Sequence, residues 1–254
     1  MTTAGAAGGR SPRGLLLTTL IGLAWLVTLI SLLSVDLTRL PSWLILVALL
    51  LRTELQTGLF IAGHDGMHRL LLPARPLWND RLAAIALALY AALPYRACRR
   101  NHQLHHRRAA NAGDPDGPPD RRSGPVRWYV HFMAGYLTPA QMGWLLSGWA
   151  LLALAFRPIN STAPLNVLLF CTLPLLLSSC QLFVFGTYLP HRGQWANPGQ
   201  HHADSLDLPP WLSLLTCFHF GYHREHHDHP DLAWFELPAA RQRFRRSTAA
   251  GNAR

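Results

Sequence analysis

The chain contains no lysine. Its 254 residues carry 23 basic side chains, all of them arginine, against 13 acidic ones, and only 14% of residues are charged. A water-soluble domain usually has about 25% charged residues, so composition excludes an ordinary soluble globule. The four cysteines, Cys98, Cys171, Cys180 and Cys217, form no CxxC pair, and two lie inside an apolar run. Neither a disulfide framework nor a cysteine zinc site is indicated, and the four read as small buried hydrophobes. The chain also lacks a glycine fingerprint for flavin or nicotinamide and any cysteine cluster for iron–sulfur. It has no Glu-x-x-His, the motif of soluble di-iron bundles.

Half of the residues are hydrophobic, and they are gathered in long runs with the charge between them. That pattern predicts an all-α integral membrane protein, a single domain over 1–254, because about 20 apolar residues cross a bilayer. Spans are expected at 15–35, 43–63, 130–156 and 164–189, the third with blurred boundaries and the fourth kinked at Pro174. The first follows the tail MTTAGAAGGRSPRG and reads as a retained anchor rather than a cleaved signal. Arg52 and Glu54 fall inside the second span, within one turn of each other, and are expected to face the bundle interior. The run 82–93 is too short to span and reads as interfacial or re-entrant.

Four spans put both termini on one side. Only Arg39 and Arg157 fall in the far loops and Arg52 in a span, which leaves the other 20 of 23 arginines in the N-terminal tail, segment 64–127 and the region after 190. The positive-inside rule makes those segments cytoplasmic. A net charge of +10 can also mark nucleic-acid binding, but arginines distributed by topology account for it. The stretch NAGDPDGPPDRRSGP (111–125) is a loop, and the tail 239–254 is expected to be disordered.

The same side collects the histidines. HDGMH places His64 and His68 four apart; HQLHH gives His102, His105 and His106; HREHH gives His223, His226 and His227. Spacings of three and four put each set on one face of a helix. Eight imidazoles are too many for one zinc, which takes about four ligands, and suit two metal ions with four or five each; imidazole serves zinc, copper, iron and nickel alike. His191, directly after the fourth span, is a further candidate ligand. His219, four residues before His223, is a candidate ligand or supporting partner on the same helical face. His131 reads as structural, and His201, His202 and His229 as exposed or supporting. Ligating imidazoles need a partner for their second nitrogen; Asp65, Asp114, Asp116, Glu225 and Asp228, with Asn101 and Asn111, lie near enough in sequence.

Boxes of HxxxH, HxxHH and HxxHH around four spans resemble the membrane fatty-acid desaturase and hydroxylase superfamily. Within it, NHQLHH…DPD, FGTYLPHR and CFHFGYHREHHDHP…WFELP resemble the bacterial β-carotene ketolases, over residues 40 to 238. The resemblance implies two iron ions on His64, His68, His102, His105, His106, His223, His226 and His227, joined by His191, in a cytoplasmic helical cap. It implies O₂ as co-substrate, a carotenoid drawn from the lipid bilayer, and a ferredoxin-like electron donor. The expected reaction is two oxygenations at C4 of a β-ionone ring, taking β-carotene to echinenone and canthaxanthin. Two departures stand in the first box: Gly66 where the family usually has alanine, expected to matter little, and Arg69 beside His68, expected to change local polarity. A carotenoid ring hydroxylase or an acyl desaturase would share the same ligands. A metal transporter would need polar residues along its spans, and only Arg52 and Glu54 qualify.

Overall fold

A computed structural model of the chain describes residues 13–196 and 203–252, all of it helix and connecting loop. His201 and His202 lie outside the described residues. Four helices are long and apolar enough to cross a membrane: α1 Arg13–Ser34, α2 Ser42–Met67, α6 Pro139–Phe156 and α7 Ala163–Trp195. Between α2 and α6 run α3 Pro76–Ala91, α4 Tyr95–Arg108 and α5 Pro125–Tyr136; after α7 come α8 Pro210–Cys217, α9 His223–Asp228 and α10 Leu237–Asn252.

The outer faces of the long helices are apolar, with Leu20, Val27, Trp43, Leu50, Trp144 and Leu154 among the exposed side chains. Large apolar surface on every side is what a hydrocarbon solvent rather than water stabilises. Cys98, Cys171 and Cys217 are buried as expected, but Cys180 is exposed, on the outer face of α7. The third span is shorter than its expected 130–156. Thr138 caps a new helix, accepting from Gln141 N while the Gln141 side chain accepts from Thr138 N. Because Thr138 precedes Pro139, its backbone is biased away from helix, so α5 and α6 are separate elements. The 82–93 run belongs to α3, which meets α4 at 98° after a short break. Residues 239–252, expected to be disordered, belong to α10, whose Arg241 is tied to Glu225.

Two short connectors meet at one end of the bundle. Asn160 Nδ2 donates to Leu33 O and Val35 O, and Asn166 Nδ2 to Leu32 O and Val35 O, joining the α1–α2 turn to the α6–α7 turn. At the other end Gly14, at the start of α1, lies against Leu70, just beyond α2. The spans therefore alternate in direction, with α3, α4, α8 and α9 at the α2 terminus.

Arg52 is fully buried, as expected, but does not pair with Glu54. Its Nε donates to Phe170 O at 3.0 Å and its Nη1 to Trp25 O at 2.7 Å. The α-helical donor for Phe170 O would be residue 174, a proline without an N–H. Here α7 makes a π turn, Leu168–Thr172, and the arginine supplies the missing donor. Glu54 instead accepts from Gln181 Nε2 at 3.0 Å.

Candidate metal centre

The α2 terminus is fixed before any metal is considered. Buried Asn79 donates to Gly66 O at 2.8 Å and accepts from Leu71 N and Leu72 N; Tyr95 Oη donates to the same carbonyl at 3.0 Å. These contacts satisfy backbone groups that a helix end leaves open. They also hold the turn that carries His64 and His68. Gly66 has a steric role: a Cβ there would stand 2.2 Å from Ala83 Cβ. Alanine at this position, expected to be a small change, would push α2 off α3. Arg69 leaves the helix with φ 61°, its Nε 3.9 Å from Asp80 Oδ1.

The other boxes are helical as their spacing predicts, His102, His105 and His106 on α4 and His223, His226 and His227 on α9. His191 comes from the end of α7, just after a second π turn at Phe183–Tyr188. Such turns re-aim the residues that follow them. Four segments far apart in sequence thus deliver nine imidazoles to one place.

They sort into two groups. One ring nitrogen each from His64, His68, His102 and His226 lie within 4.8 Å of one another, and so do those of His105, His191, His223 and His227. His106 is in neither quartet but borders the first, its Nε2 3.1 Å from His102 Nε2 and 3.0 Å from His226 Nε2. His68 and His102 approach at 2.7 Å through Nε2, and His105 and His227 at 3.2 Å. Two imidazoles on one ion, each at about 2.1 Å and a right angle apart, leave their nitrogens about 3 Å apart. The spacing is that of ligands around a cation. His64 Nε2 and both ring nitrogens of His223 are buried with no hydrogen-bond partner among the described residues. Such orphans are costly unless something else is bound there.

The outer partners are only partly those expected. Asp114 Oδ1 is 2.8 Å from His105 Nδ1, and Asp116 Oδ2 is 3.8 Å from it. Asp65 reaches its neighbour His64 at 3.4 Å and accepts from Trp234 N at 3.2 Å. Among the described residues Glu225 touches no histidine through a hydrogen bond: it accepts from Ser205 Oγ and from Arg241 Nη1. Asp228 pairs with Arg224 at 3.6 Å, and the Asn111 amide donates to Ala109 O. His219 is not on the helical face of His223, because Phe218 and His219 take φ of 46° and 65° and break the helix between them. Its ring stacks on Tyr222 and Trp234 instead, where burial lowers its pKa to about 4. His131 and His229 are exposed.

Burial also drives the His68 pKa down to about 4, with nearby Arg99 adding to it, and holds His223, His226 and His227 well below the ordinary imidazole value. These four rings are held neutral, the form that ligates metal; at His105 burial acts the same way but Asp116 and Asp114 outweigh it and raise the pKa. Asp116 is pushed up by burial, and its Oδ1 accepts from Tyr136 Oη at 2.7 Å. Asn79, Tyr95 and Tyr136 had no motif to mark them in the sequence, and Trp234, within the WFELP string, had nothing to mark its N–H as a partner of Asp65.

Beside the histidines lies a chamber lined by His64, His102, His105 and His223 together with Asp116 and Thr187. It shares Phe60, Phe132, Tyr136 and Leu182 with an apolar cavity of about 180 Å³ bordered by α2, α3, α5, α6 and α7.

A histidine-rich centre at the end of a four-span bundle, opening onto apolar space, defines a membrane-embedded metalloenzyme class. The fatty acid desaturase family matches the chain over residues 41–160 and 141–254. β-Carotene ketolases of two Paracoccus sp. strains are 42% and 41% identical over 198 residues, covering 74% and 75% of this chain and 76% of each relative. A zeaxanthin 4-ketolase of Chlamydomonas reinhardtii is 36% identical over 79% of this chain and 45% of its own length. The chain belongs to the fatty acid desaturase family and, within it, to the carotenoid ketolases.

Proposed function

We propose that the chain is a single-domain carotenoid ketolase, an O₂-dependent oxygenase that places a keto group at C4 of a β-ionone ring. The observation that carries this reading is the pair of histidine quartets opening onto an apolar cavity. Family membership supports iron as the metal and β-carotene as the substrate.

His64, His68, His102 and His226, bordered by His106, would hold one iron, and His105, His191, His223 and His227 the other. Two irons there would supply the activation of O₂ that an aliphatic C–H bond demands. The protein's own work is placement. Asp114 and Asp116 fix the His105 ring by its Nδ1. The apolar cavity dehydrates the ring and holds it, which is where positioning contributes most to rate. Each round consumes one O₂, two electrons and two protons and releases one water. The first converts the C4 methylene to an alcohol; the second gives a gem-diol that loses water to leave the ketone.

Electrons come from a separate ferredoxin-like carrier, for which the exposed Arg243 and Arg246 of α10 offer positive charge. The distribution of arginine supports cytoplasmic termini and a cytoplasmic metal centre, and no nucleic acid is involved.

The test is pigment analysis of a bacterial host that accumulates β-carotene, with and without this chain. A product with a red-shifted spectrum that has lost fine structure is expected, and His226→Ala should abolish it. A more polar pigment with the β-carotene spectrum intact would make the chain a hydroxylase. Unchanged pigment, with the protein present in the membrane, would redirect the search to hydroxylated carotenoids and acyl chains.

A further inference from the structure

Ketone formation needs two oxygenations at one carbon, so the alcohol must stay in the site after the first. An apolar cavity of about 150 Å³ holds a benzene-sized ring, so the cavity of about 180 Å³ takes a six-membered ring. An apolar wall alone discriminates poorly between a ring and the same ring bearing a hydroxyl, and would let the alcohol leave as readily as the substrate.

The inner chamber is not purely apolar. Tyr136 lines both spaces and stands where they adjoin. Its hydroxyl hydrogen is committed to Asp116 Oδ1 at 2.7 Å, which leaves the phenol oxygen as an acceptor. Asp116 is itself 9% exposed and is held by the Asp114–His105 contacts, so the phenol is anchored to the metal side of the chamber. Thr187 lines the same chamber from the π turn Phe183–Tyr188, one helical turn before His191. The residue is 6% exposed, and a threonine hydroxyl both donates and accepts.

We propose that Tyr136, anchored by Asp116, and Thr187 form a binding site for the C4 hydroxyl of the allylic alcohol, holding it for the second oxygenation and so making the product a ketone. The alcohol donates to the Tyr136 oxygen and accepts from Thr187. Substrate without the hydroxyl gains nothing from either group, so the site binds the intermediate selectively. This inference rests on the ketolase reading and adds the residues that separate ketone from alcohol as product.

Thr187→Val and Tyr136→Phe each remove one polar atom at nearly constant size, and Thr187→Ser keeps the hydroxyl. In the β-carotene host, the ratio of 4-hydroxy to 4-keto rings should rise about tenfold in Thr187→Val and in Tyr136→Phe, the effect of one lost hydrogen bond, and return toward the parent value in Thr187→Ser. A purely structural role would lower total oxygenated product and leave the ratio alone. An unchanged ratio, or a Thr187→Val protein present in the membrane that forms neither product, overturns the proposal. The unsubstituted chain run in parallel separates the two claims: if it oxygenates no ring at C4, the ketolase reading itself fails.

Discussion

His105 Nδ1 and Asp114 Oδ1 lie 2.8 Å apart, both almost fully buried. With that nitrogen occupied, the ring turns its Nε2 toward His227 Nε2, and the tautomer is set by the carboxylate. Asp114 is itself fixed by accepting from Ala110 N and Asp116 N. Partners of this kind are worth about 10–100-fold in metal affinity. Asp114→Asn should therefore bind metal more weakly by that factor while keeping the loop's shape. Metal per chain, measured by mass spectrometry during chelator titration, checks it; parental retention would make Asp114 a loop residue only.

The buried imidazoles whose pKa is depressed give a pH dependence of known sign, opposite to that of His105, which Asp116 and Asp114 raise against the effect of burial. In the unfolded chain these histidines titrate near 6.5. Folding lowers His68 to about 4 and holds His223, His226 and His227 well below the ordinary range. A depressed folded pKa means stability that is full above about pH 6.5 and is lost as pH falls toward 4. The metal-free protein in detergent should therefore have a lower Tm at pH 5 than at pH 7.5. The loaded protein should keep its metal at pH 6, since few protons compete for neutral rings, and release it only as pH approaches 4. Metal loss already at pH 6.5 would mean exposed ligands.

Gly66 gives a steric prediction that contradicts the sequence expectation. A Cβ there would stand 2.2 Å from Ala83 Cβ, so α2 and α3 must separate to admit it. Overpacking of this kind costs about 1–3 kcal/mol. Gly66→Ala should lower the Tm, and Gly66→Ala with Ala83→Gly should regain most of it. At Gly63 the obstacle is the fully buried Leu87 side chain, whose Cγ and Cδ2 would each stand 2.5 Å away, so Gly63→Ala should cost a similar amount. A loss at Gly66 alone would show that Leu87 repacks where Ala83 cannot.

Periodicity and apolar length made most of this legible. The three histidine boxes lie on helices or at a helix end as spacing requires, because spacings of three and four fix a face wherever the chain is helical. His219 escaped that rule: its own left-handed backbone and that of Phe218 end the helix before His223 begins. Glu225 lies between two box residues in sequence, yet it is spent on Ser205 and Arg241. One turn of helix points successive residues in different directions. The split between α5 and α6 was written locally in Thr138-Pro139-Ala140-Gln141, a capping signal hidden by the apolar residues around it. Asn79, Tyr95 and Tyr136 could not be found from sequence, because their partners are backbone groups or carboxylates brought close only by the tertiary fold.

Arg52 and Pro174 supply the last prediction. A proline at 174 removes the donor that Phe170 O would use in a regular helix, and Arg52 Nε, 3.0 Å away on α2, takes that place. Arg52 Nη1 also donates to Trp25 O and Thr28 Oγ1, so one side chain joins α1, α2 and α7. Lipid offers the carbonyls no alternative partner. Arg52→Met should destabilise the bundle by about 1–3 kcal/mol, the cost of leaving a buried acceptor unpaired. Arg52→Lys should not rescue it, because a single ammonium cannot reproduce the planar fork that serves two directions. Pro174→Ala restores an N–H to α7 and should reduce the cost of losing Arg52, giving a non-additive double-mutant cycle. The measurement is Tm in detergent for the four chains of that cycle. Strict additivity would mean that Arg52 and Pro174 act independently and that the arginine's value lies in its contacts to α1.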